Sequence, residues 1–156
     1  MAIDQLDAAI LDLLAQEPRV GVLEASRRLT VARGTVQAHL DRLQRTGVIS
    51  GLAPTVDPVA LGYPVTAFLS LEIAQSGGRE SVIEHLRGIP EVIEVHTVTG
   101  TADPLVWLVA QSNSDLQRVI DSVVADPSVL RAATAIALAN PIPSRTRPLV
   151  AAAGRG

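Results

Sequence analysis

Apolar residues recur at helical spacing through the first fifty positions, and the period then changes. Ile3, Leu6, Ile10, Leu13 and Leu14 lie three or four apart and predict a helix over 4–16. Asp4 is placed to cap it, and Glu17-Pro18 ends it. A second helix is predicted over 22–29 and a third over 33–46, closed by Gly47 just past its end. In the third helix Val36, Leu40 and Leu43 share one side, which must be buried. The opposite side carries Gly34, Ala38, Asp41, Arg42 and Arg45. Val48-Ile49-Ser50-Gly51 opens an extended segment that reads as a wing, and residues 51–64, with three prolines and two glycines, read as a linker.

From residue 65 the pattern becomes two-fold. Val65, Ala67, Leu69, Leu71 and Ile73 alternate with Thr66, Phe68, Ser70 and Glu72, which predicts a half-buried strand. A turn at Gln75–Gly78 follows, then a helix over 79–88 with Val82, Ile83 and Leu86 inward. Strands are predicted over 92–99 and 105–111, joined by a tight loop from Gly100 to Pro104. Ser112 or Asn113 caps a helix whose stripe is Leu116, Val119, Ile120, Val123 and Val124. Asp126-Pro127 stops it, and a last strand spans 129–139. The order βαββαβ is that of a ferredoxin-like sandwich, whose helices cover one sheet face. A second copy is the simplest cover for the other face, so a dimer is expected. The expected class is α+β: a winged helix-turn-helix domain at 1–50, a linker strand at 51–64, the βαββαβ domain at 65–142, and a partly disordered tail at 143–156.

Composition narrows the chemistry. The chain has no cysteine, which excludes disulfides, thiolate metal sites and thiol nucleophiles. No apolar run reaches the ~18–20 residues of a membrane span, and the first residues carry acids where a leader would carry positive charge. A cytoplasmic protein without membrane contact is the expectation. The net charge of −3 is unevenly spread. Residues 19–50 hold six arginines against Glu24 and Asp41, a local net of +4, and the remainder carries −7. A basic head on an acidic body suits a protein whose head meets nucleic acid.

Four stretches in order carry a family likeness: LDAAILDLLAQEPRV at 6–20, TVQAHLDRLQRTGVISG at 35–51, DPVALG at 57–62 and VIEVHTVTGTADPLVWLVA at 92–110. The ending SRTRPLV at 144–150 agrees with them. Over nearly its whole length the chain resembles the leucine-responsive/asparagine-regulator (Lrp/AsnC) transcription factors. The resemblance implies a sequence-specific binder of double-stranded DNA whose body senses a small molecule, commonly an amino acid. It also implies dimers that associate further, often into octamers. Thr30-Val31-Ala32 stands where the family has Gly-Leu-Ser, so the third helix loses its serine cap unless Thr30 supplies one. His39 stands where Arg is common, and Ala102 where an aromatic residue is frequent.

The residues expected to meet DNA are Arg33, Thr35, Gln37, His39, Arg42 and Arg45 on the third helix, with Arg27 and Arg28 of the second on phosphate. Two heads would address half-sites about one helical turn apart, or a multiple of it. The resemblance implies an effector loop, opened by the Gly-x-x-Asp turn, at Gly100, Thr101, Ala102, Asp103 and Pro104. Its backbone N–H groups suit a carboxylate and Asp103 an ammonium group, although a plain hairpin turn explains the same residues. His85 and His96 stand alone, without a second ligand at metal spacing. Trp107 reads as core or dimer interface, and Glu91, Glu94, Asp121 and Asp126 as solvated charges. No cofactor, metal or catalytic residue is expected. Two alternatives stand beside the regulator: a sirohaem-decarboxylase-like enzyme on the same two domains, and a ligand-binding or assembly module that has lost DNA recognition.

Overall fold

The computed structural model describes residues 3–74, 78–100 and 103–155. Part of the predicted turn at Gln75–Gly78, and Thr101 and Ala102 of the effector loop, lie outside the described residues. The chain forms two compact units, one built from 1–54 with 142–156 and the other from 55–141. The first carries nine arginines against six acids, a net of +3, and the second a net of −6.

The first unit holds α1 (Gln5–Gln16), α2 (Val22–Leu29) and α3 (Arg33–Arg45). Asp4 caps α1 through a capping box: its carboxylate accepts the Asp7 N–H at 2.8 Å, and the Asp7 carboxylate accepts the Asp4 N–H at 3.0 Å. Ile10, Ala25 and Val36 form a buried centre, surrounded by Leu6, Leu13, Leu14, Val20, Val22, Leu29, Val31 and Leu40. Thr30 sits in the left-handed region at φ 56° and closes α2. It does not cap α3. Ala32 holds that place without a side-chain bond, so the N–H groups of the first turn have no side-chain acceptor there.

Two expectations fail in this unit. Val48–Gly51 forms no strand; the Ile49 N–H instead folds back onto the Leu43 carbonyl at 3.0 Å. A single short segment with no ladder partner in its own unit has nothing to pair with. The end of the chain is also not a disordered tail. Arg147–Ala153 form helix α6, which packs on α1. Arg147 Nε lies 2.5 Å from the Asp12 carboxylate, and Gly154 is buried against Ala8. Ala151–Ala153 carry no hydrophobic period, which is why a sequence pattern missed the helix.

The second unit is β1 (Val65–Ile73), α4 (Gly78–Arg87), β2 (Val92–His96), β3 (Leu105–Ala110), α5 (Asn113–Val123) and β4 (Val129–Ala137). The sheet order is β2-β3-β1-β4, with every neighbouring pair antiparallel. The predicted βαββαβ sandwich is therefore present. Ala67, Leu69, Leu71, Val106, Leu108 and Ala110 face the helices and close on Val82, Leu86, Leu116, Val119 and Val123. Burial of one such leucine or valine contributes about 1.5–3 kcal/mol. The alternate positions of β1 form the other face, where Phe68 pairs with Trp107 on β3 and Ala135 on β4. Nothing within the unit covers this face at Phe68, Ala133 or Ala135, all of which are exposed. The Phe68 and Trp107 rings stack at 6.4 Å.

Candidate nucleic-acid interface

The stripe Val36 and Leu43, fully buried, with half-buried Leu40, anchors α3. Gly34, Gln37, Ala38, Asp41 and Arg45 are exposed, as are Arg33 at the start and Gln44 near the end. Small residues at the centre of that face let a surface come close to the helix axis. The Gln37 amide donates to the Asp41 carboxylate at 2.7 Å, one turn along the same face. Among the described residues no carboxylate lies within 4.0 Å of Arg33 or Arg45.

Arg42 and His39 are placed differently from the expectation. They lie on the flank that meets α1, not on the outer face. Arg42 Nη2 donates to Asp7 at 2.5 Å and to Asp4 at 3.0 Å. His39 Nδ1 is 2.8 Å from the other oxygen of Asp7. Asp7 is 1% exposed, so this carboxylate is the buried hub joining α1 to α3. Burial opposes its ionised form. The Asp4 N–H, Arg42 and His39 outweigh that penalty and hold its pKa below the ordinary carboxylate value. Asp4, Asp7 and His39 also bring three ligand atoms within 4.8 Å of one another. The Arg42 guanidinium already occupies the cationic place among them, 3.2 Å from His39 Nδ1.

On α2, Arg28 is held by Glu17 and by Glu24 at 2.9 Å. Arg27 stands 3.8 Å from Glu24 and remains largely exposed. Thr35 is half-buried at the start of α3, on the Arg42 flank.

The described ends of the loop in the second unit, Gly100 and Asp103-Pro104, are set by backbone geometry and bonds. Gly100 adopts φ 131°, a conformation reserved for glycine. The Asp103 N–H donates to the Leu71 carbonyl at 2.8 Å, and the Leu71 N–H to the Pro104 carbonyl at 2.9 Å. Pro104 is buried. The Asp103 carboxylate is not open, as expected for an ammonium receptor, but engaged by Arg79 from the first turn of α4. It also accepts the Val98 N–H at 3.4 Å, while Arg79 reaches Thr97 Oγ1 at 3.5 Å. Arg79 was invisible as a partner in the sequence, because twenty-four positions separate it from Asp103.

The remaining candidates resolve into structural roles. His85 Nε2 donates to the Ser122 carbonyl at 2.7 Å and ties α4 to α5. His96 pairs with Glu94 at 2.9 Å. Asp126 is not a solvated charge: it is 8% exposed and accepts from the Ser128 N–H at 2.8 Å and the Ser81 hydroxyl at 3.1 Å. Those bonds hold its pKa low. Glu91 is likewise half-buried and paired with Arg118 at 2.5 Å. Trp107 lies on the uncovered sheet face, with its indole N–H buried and without a partner among the described residues.

Comparison with known proteins agrees with both units. A family model described as winged helix-turn-helix DNA-binding matches residues 3–50, and one described as the Lrp/AsnC ligand binding domain matches residues 66–147. The chain is 36% identical over 118 residues to an uncharacterised HTH-type transcriptional regulator of Pyrococcus abyssi, covering 76% of this chain and 74% of that one. It is 28% identical over 147 residues to the regulatory protein AsnC of Escherichia coli, covering 94% and 97%. The solved structure of that AsnC superposes with a TM-score of 0.87 at 27% identity, covering 95% of this chain and all of the other. These relatives are named as regulators, not enzymes. Within the chain, a basic head built on α3 is joined to a four-stranded sensor-type body, and each part matches its own model over its own residues; the protein belongs to the Lrp/AsnC family of DNA-binding transcriptional regulators.

Proposed function

We propose that the outer face of α3 enters the DNA major groove. The supporting observation is that this face pairs small residues with two arginines, Arg33 and Arg45, that no acid among the described residues neutralises. Arg33 and Arg45 bind phosphate or guanine, Gln37 turns from Asp41 to adenine, and Thr35 flanks them. The uncapped first turn of α3 offers N–H donors to a phosphate. Arg27 and Arg28 on α2 face the backbone, Arg28 with its charge already shared by two glutamates. We leave His39 and Arg42 out of this contact set, because both are bonded to Asp7.

The effector is an α-amino acid that parts Arg79 from Asp103. The exposed Arg79 guanidinium takes its carboxylate, and the Asp103 carboxylate, released from Arg79, takes its ammonium. The uncovered face of the sheet pairs with a second copy, so the working unit is a dimer that assembles further. Effector binding then shifts the spacing of heads that a duplex engages.

The test uses full-length protein and a duplex selected by it from a randomised pool. Arg33→Gln with Arg45→Gln lowers the slope of log affinity against log salt by about 1.8, near 0.9 per lost phosphate contact. An unchanged slope contradicts the assignment.

A further inference from the structure

We infer that Asp7, seconded by Asp4, sets the sequence selectivity of the head by holding Arg42 on α1 and off the DNA backbone. The inference rests on the DNA reading above and adds positioning residues to it. Arg42 stands one turn from Arg45 in a helix that meets DNA, yet its guanidinium points to Asp7 of α1 at 2.5 Å and to the cap residue Asp4 at 3.0 Å. His39, three residues earlier, reaches the same buried carboxylate at 2.8 Å. Two anchors one turn apart on a single flank oppose rotation of α3 about its own axis.

The amplitude matters. Side-chain tips lie about 5–6 Å from the helix axis, so a rotation of roughly 20° moves them about 2 Å. A hydrogen bond to a base edge tolerates about 0.5 Å. Base readout therefore needs the hub, whereas phosphate attraction does not. Asp7 also cancels a charge that would otherwise add affinity for every sequence alike. Its burial favours persistence: a carboxylate at 1% exposure has little water to bond in place of Arg42.

The test compares full-length variants on two duplexes, the one selected from a randomised pool and a scrambled one of equal composition, across a salt series. Arg45→Gln is expected to make both slopes shallower by about 0.9. Arg42→Gln is expected to leave the scrambled-duplex slope unchanged and to cut the selected-to-scrambled affinity ratio tenfold or more, the usual effect of one spoiled base contact. Asp7→Asn, which keeps shape and cap, is expected to steepen the scrambled-duplex slope by about 0.9 and to cut the ratio similarly. Arg42→Lys recovers part of the ratio. Should Asp7→Asn fail to fold, Asp4→Asn at the half-exposed end of the hub and Arg42→Gln carry the same comparison. A shallower slope for Arg42→Gln, equal to that of Arg45→Gln, overturns the inference alone. A wild-type protein that selects no sequence overturns the DNA reading and this inference with it.

Discussion

Gly154→Ala places one methyl group between two helices and tests whether α6 is part of the head. Gly154 has φ −75°, so alanine suffers no backbone strain there. Taken alone the change would stabilise by about 0.4–1 kcal/mol, by restricting the unfolded chain. The contact decides otherwise. A Cβ on Gly154 falls 2.5 Å from the Ala8 Cβ, where carbon atoms settle at about 3.5–4.0 Å. Ala8 is fixed to the α1 backbone and cannot swing away, so α6 must move by about 1 Å. Overpacking of this kind costs about 1–3 kcal/mol. The balance is a loss of about 1–2 kcal/mol, or roughly 5–15 °C in the melting temperature of a unit this size. The assay is thermal unfolding of the full-length protein by circular dichroism, run as a double-mutant cycle with Ala8→Gly. Ala8→Gly alone costs about 1 kcal/mol of helix propensity but makes room for the new methyl. The pair should therefore be better than additive by about 1–3 kcal/mol. A coupling within about 0.3 kcal/mol of zero, or an unchanged melt for Gly154→Ala, would refute a docked α6.

Three further outcomes are expected. The head loses stability in acid: the folded pKa of Asp7 is depressed, so its contribution is complete above the unfolded value of about 3.9 and disappears as pH falls through the lower folded value. Asp7→Asn flattens that part of an acid-unfolding curve, and an unaltered curve would show that the hub contributes nothing. Ala135→Arg, beside Phe68 on the uncovered face, is expected to leave a monomer by light scattering and to shift emission of Trp107, the single tryptophan, to longer wavelength; an oligomer of wild-type size speaks against that face. Arg79→Gln should weaken calorimetric binding of whichever of the twenty amino acids binds the wild type by tenfold or more. Equal binding would place the carboxylate elsewhere.

The helices and the sheet were legible because their apolar periods are local. The stripe Val36, Leu40 and Leu43, and the alternation from Val65 to Ile73, each define a buried face without knowledge of any neighbour. What escaped depends on pairs distant in sequence. Arg42 on the edge of α3 reads as an outward cation until Asp7, thirty-five positions earlier, is brought beneath it. Asp103 reads as an open ligand group until Arg79, twenty-four positions earlier, is seen to engage it. Asp126 follows a helix like any surface acid, and only the Ser81 and Ser128 bonds show it to be an internal cap. Helix α6 has alanines where a pattern needs contrast between apolar and polar residues, and its docking depends on a glycine fitting against Ala8. Thr30 had two local roles open to it, and backbone geometry chose the end of α2 over the start of α3.

Which surface touches DNA is directly measurable, because the chain has no cysteine. An iron chelate tethered to the single thiol of Ala38→Cys, at the centre of the outer α3 face, cleaves whatever backbone lies near it. On the selected duplex, an α3 face in the major groove gives two clusters of cuts, one helical turn or a multiple of it apart. An Ala38 label that cuts no more than free chelate would contradict it.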